Sequence, residues 1–105
     1  MANPWTGEAT LVIDGERRVA KLTLGALAEL EADLGDDSLV ALIERLEAGR
    51  ASSRDVLALI VAGLRGGGWR GSAEDLLSAE IAGGPLEAAR VAAQLLVRAF
   101  APQDG

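Results

Sequence analysis

The sequence predicts an α+β fold, predominantly α, with an N-terminal β-hairpin followed by about five short helices. An Asp14-Gly15 pair separates two short runs suited to strands, the hairpin signature. The apolar residues are mostly Leu, Ala and Val, with only Trp5, Trp69 and Phe100 as aromatics, a palette that favours helix packing. Beyond residue 22, polar N-cap residues and glycines punctuate the chain at helix-length intervals. At 105 residues, one domain is expected over 1–105, with flexible tails at 1–7 and 101–105.

The hairpin spans about 8–22. Its first strand holds Thr10, Leu11, Val12 and Ile13, and its second mixes Arg17, Arg18 and Lys21 with Val19, Ala20 and Leu22. Two-residue and three-residue loops pair such strands differently, so the sequence leaves the register open. Thr23 is suited to cap a first helix, about 24–34, with Leu24, Leu27, Leu30 and Leu34 at helical spacing and Gly35 as its end. Asp36 or Asp37 is expected to cap a second helix, about 37–48, where Leu39, Leu42, Ile43 and Leu46 form a clean amphipathic stripe.

Ser52 and Asp55 have capping-box spacing ahead of a third helix, about 53–64. Val56, Leu57, Leu59, Ile60, Val61 and Leu64 surround most of its circumference, which predicts a central position. Ser72 and Asp75 repeat the capping pattern before a fourth helix, about 73–81. Gly83-Gly84 ends it, and Pro85 suits the first turn of a fifth, about 85–100.

Residues 63–71, Gly-Leu-Arg-Gly-Gly-Gly-Trp-Arg-Gly, pose the question of function. A phosphate loop requires a preceding strand and a Lys-Ser/Thr pair, and neither is present. The segment reads as a helix end and turn, and Trp69 flanked by Arg65 and Arg70 has a composition favoured at binding hot spots. Arg65, Trp69 and Arg70, with Trp5, are the candidate partner-binding residues. Trp69 is alternatively a core plug.

The remaining chemistry is sparse. There is no Cys or His, and Lys21 is the single lysine, expected on an exposed strand. Glu29, Glu31, Asp33, Asp36 and Asp37 are numerous, but their spacing is not that of a calcium loop; a solvated face is expected. No catalytic residue, metal or cofactor is predicted. The net charge of −6 argues against phosphate-driven nucleic-acid binding, although Arg17, Arg18 and Lys21 cluster in sequence. No signal peptide or span-length apolar run is read, so a cytoplasmic protein is expected, with no membrane partner.

Three runs resemble the small proteins encoded among the tail genes of alphaproteobacterial gene transfer agents. They are Gly7-Glu8 through Ile13-Asp14-Gly15 and on to Leu22-Thr23-Leu24-Gly25-Ala26-Leu27-Ala28-Glu29-Leu30-Glu31, then Arg54-Asp55-Val56-Leu57 through Gly66-Gly67-Gly68, then Ala82-Gly83-Gly84-Pro85. That family is grouped with phage tail assembly chaperones and has also been labelled a tail tube protein. The resemblance implies a non-enzymatic tail assembly chaperone that binds the tape-measure protein, the tail-tube protein or both. It would help tube subunits polymerise in a gene transfer agent or prophage, and self-association into a homo-oligomer is compatible with that role.

The alternative is a permanent structural subunit of the tail tube or tail connector, bound through the hairpin edge by strand addition. A third reading is a small regulatory or nucleic-acid-binding module using Arg17, Arg18 and Lys21. For a chaperone of a long helical protein, the feature to expect is an apolar groove that accepts amphipathic helices.

Overall fold

The computed structural model describes residues 7–35 and 38–100. It contains an antiparallel hairpin, β1 (Glu8–Ile13) and β2 (Glu16–Lys21). Five helices follow: α1 (Leu24–Leu34), α2 (Leu39–Glu47), α3 (Ser53–Gly66), α4 (Ala73–Leu77) and α5 (Gly84–Phe100). This is the α+β, predominantly α architecture expected.

The hairpin closes through the two-residue loop. Ile13 pairs with Glu16, and Asp14 and Gly15 both have positive φ, 51° and 82°. Such a turn matches the right-handed twist of the strands it joins. The register turns Ala9, Leu11 and Ala20 inward, where β1 packs on α5 and β2 on α3.

Helix α3 is the hub. It touches β2, α1, α5 and α4, and every residue from Leu59 to Leu64 is buried. Leu30 of α1, Leu42 of α2, and Val91 and Leu95 of α5 complete the core, each without solvent exposure. Thr23 caps α1, its side chain accepting from the Ala26 N–H at 3.1 Å. Ser52 and Asp55 form the expected capping box on α3.

Several local expectations are corrected. Ser38 caps α2, accepting from the Ala41 N–H at 3.0 Å, because its hydroxyl reaches the first free amides; Asp36 and Asp37 lie outside the described residues. Leu24, in the first turn of α1, overhangs the core and is 85% exposed, while Ala26 is buried. Lys21 is half-buried rather than exposed.

Helix α4 stops at Leu77 instead of continuing to about residue 81. The reason is long-range: the chain turns back so that residues 80–82 join the free edge of β1. Ile81 bridges Ile13, Asp14 N–H donates to Glu80 O at 2.8 Å, and Ala82 N–H donates to Val12 O at 3.0 Å. Asp14 also accepts from the Glu80 N–H at 2.9 Å. Three hydrogen bonds and the burial of Leu76 against α3 replace one further helical turn.

Candidate functional site

The glycine segment is first a packing device. Gly66 and Gly67, at the C-terminal end of α3, lie directly on the outer edge of β2. An added β-carbon would stand 2.0 Å from Lys21 O at Gly66 and 2.2 Å from Val19 O at Gly67. Any side chain would collide with strand backbone, so this approach requires glycine at both places. With the alternation of the ladder, these two carbonyls are among those β2 turns away from β1. The turn therefore covers the part of the β2 edge on which an incoming strand would pair.

Three of the four candidate residues are brought together by this turn. Arg65, Trp69 and Arg70 line a shallow polar depression of about 530 Å³, opposite Thr23, Gly25 and Glu29 of the α1 end. Arg65 donates to Glu29 at 3.4 Å, a solvent-exposed and weak pair. Arg70 is exposed. Trp69 is half-buried, packs against the core cluster, and donates its backbone N–H to Leu64 O at 2.9 Å. Its ring lies over Gly71, where an added β-carbon would come within 2.0 Å of the indole. Trp69 thus has one face in the fold and one on the surface. Trp5 lies outside the described residues.

A second surface was not singled out from sequence. An apolar groove of about 490 Å³ runs between the first half of α3, the short α4 and the start of α5. Val56, Leu57 and Ile60 form one wall; Leu76, Leu77 and Ala88 face them. Leu77 is 72% exposed at its rim. Ala79 and Ile81, in the segment that follows the early end of α4, also line the groove. The sequence signal was α3 itself, apolar around more of its surface than its neighbours could cover.

Where the groove begins, the structure is held by an ion pair. Arg45 of α2 donates from Nε and Nη2 to the two Asp55 carboxylate oxygens, both at 2.9 Å. Asp55 also accepts from the Ser52 N–H at 3.0 Å. The Arg45 guanidinium, followed by the Ser52 bonds, outweighs partial burial and holds the Asp55 carboxyl below its ordinary value.

The basic residues of the hairpin do not form one patch. Strand alternation places Arg17 and Lys21 on one face and Arg18 on the other, where it pairs with Glu16 at 2.9 Å. Among the described residues, no group of three or more Asp or Glu is arranged to hold a metal ion, and no helix is long and apolar enough to cross a membrane.

Residues 6–102 match the family described as phage tail tube protein, GTA-gp10. No curated protein and no solved structure matches the chain. With nearly the whole sequence matched, the chain belongs to this phage-type tail protein family of gene transfer agents.

Proposed function

We propose that the protein is a non-enzymatic tail assembly chaperone that binds the tape-measure protein and assists tail-tube assembly in a gene transfer agent or prophage. The observation that carries this reading is the open apolar groove between α3, α4 and α5. Amphipathic helices bind by laying an apolar face into such a groove, read by side chains at i, i+3, i+4 and i+7. A tape-measure protein is long and helical and has to be kept soluble until the tube grows around it. Arg65, Trp69 and Arg70 form a second contact beside the glycine turn in this reading, with Trp5 as a further candidate.

The alternative, a permanent subunit of the tail tube or connector, is favoured by the family's own description. Against it, tail-tube rings are built on extensive β-structure, whereas the described residues hold two six-residue strands. Both outer edges of this hairpin are also partly covered, by residues 80–82 on one side and Gly66-Gly67 on the other.

The deciding experiment is a pull-down from cells expressing the complete tail-gene cluster, with finished particles analysed by mass spectrometry. Capture of the tape-measure protein with absence from particles is the expected result. Stoichiometric presence in particles would establish the structural subunit instead.

A further inference from the structure

Helix α5 has two apolar faces. One carries Val91 and Leu95 into the core. The other carries Leu86, Arg90, Ala93, Val97 and Phe100, all exposed. Steps of four, three, four and three residues keep these five within about 80° of the helix circumference, directly opposite the buried face. This is the spacing of a coiled-coil seam, and it runs the length of the longest helix in the fold. Leu86 is 83% exposed, Val97 68% and Phe100 52%. Single exposed apolar residues are ordinary; an aligned seam along a whole helix is a contact surface.

The order of residues along the seam says what covers it. It is nearly symmetric about Ala93, with Leu86 and Phe100 each seven residues away and Arg90 and Val97 between. A twofold interface requires a surface complementary to itself. We infer that α5 pairs antiparallel with α5 of a second copy, Ala93 meeting Ala93 on the twofold axis. Leu86 then packs against Phe100 of the other copy, and the aliphatic stem of Arg90 against Val97. The small residue at the centre allows close approach, and the large ones fill the ends.

Charge selects the direction. A parallel pair would set Arg90 against Arg90. The antiparallel pair separates them, and each guanidinium stays bonded to Glu87 of its own helix, with Nε at 2.7 Å from Oε1. The seam therefore has no net charge, although each chain carries −6. Antiparallel helix dipoles also oppose each other favourably. One helix pair buries less than the roughly 800 Å² per partner of a standard interface, so a weak, concentration-dependent dimer is expected. This inference does not rest on the chaperone reading, because none of the five seam residues lines the α3–α4–α5 groove.

Sedimentation equilibrium of the full chain, taken to about 0.5 mM so that a weak dimer is populated, tests it. A mass rising from 10.8 kDa toward twice that value is expected, together with at least tenfold weakening by Ala93→Glu. A chain that stays monomeric, or a dimer indifferent to Ala93→Glu, overturns the proposal. Because the chain has no cysteine, engineered thiols report the geometry separately. Under a mild oxidant, Ala93→Cys should cross-link with itself, and Leu86→Cys with Phe100→Cys in a mixture. Self-linking of Leu86→Cys would overturn the antiparallel arrangement. Circular dichroism verifies that each variant keeps its helices, and the thiol pattern decides the matter if Ala93→Glu does not fold.

Discussion

Arg45 grips Asp55 through two parallel hydrogen bonds, and Asp55 at the same time caps the α3 N-terminus through the Ser52 amide. One carboxylate thereby serves two elements. It ties α2, which otherwise packs chiefly on α1, to the first turn of the central helix. It also fixes the wall from which Val56 and Leu57 face the groove. Bidentate arginine–carboxylate pairs are strong because charge and planar geometry act together.

Removing this carboxylate should therefore be costly. Asp55→Ala is expected to lower stability by about 3 kcal/mol, combining a lost helix cap with the loss of both charge-assisted hydrogen bonds from Arg45. Arg45→Ala should cost less, because Asp55 keeps its Ser52 bonds. Urea unfolding of the two variants beside the parent checks both values and their order.

The same pair sets a pH dependence. The folded-state pKa of Asp55 is depressed, so the unfolded chain binds the proton more readily. Its contribution is complete at neutral pH, above the unfolded-state pKa, and is lost as pH falls through the lower folded-state value. Stability curves against pH for the parent and Asp55→Asn should converge in acid and separate toward neutrality. Parallel curves would show that the pair does not titrate as described.

The glycine turn gives a contrast within one residue type. Gly66→Ala or Gly67→Ala drives a methyl group into the β2 backbone, and each should cost about 3 kcal/mol. Gly25→Ala, in the first turn of α1, meets nothing nearer than Thr23 Oγ1 at 3.9 Å and should raise stability by about 0.5 kcal/mol. Thermal melts of the three variants would show opposite signs.

Surface and core roles separate at Trp69 and Leu77. Trp69→Ala should cost about 2 kcal/mol, since only one face of the ring is buried, and the chain should still fold. Weakened tape-measure capture by this folded variant would support the contact proposed for Trp69. Leu77→Lys, at an exposed rim position, should change stability by no more than about 0.5 kcal/mol. If the groove receives a tape-measure helix, Leu77→Lys abolishes its capture; undiminished capture would remove the groove from the proposed function.

The sequence alone determined what is decided within a few residues. Asp14-Gly15 dictated the turn, because few residue pairs accept positive φ twice. Thr23, Ser52 and Ser72 marked helix starts, because the first amides of a helix lack partners and a nearby side-chain oxygen satisfies them. The apolar girth of α3 declared its central place.

Tertiary structure decided the rest, because the competing terms came from residues far apart in the chain. Helix α4 ended at Leu77 once the edge of β1 offered Glu80 and Ala82 their hydrogen bonds, and the segment so placed lines the groove with Ala79 and Ile81. In the sequence, residues 63–71 read as a helix end and turn. Only the position of β2 turned Gly66 and Gly67 into a close contact that no side chain could enter. Asp55 read as a cap alone, until folding brought Arg45 to its other side.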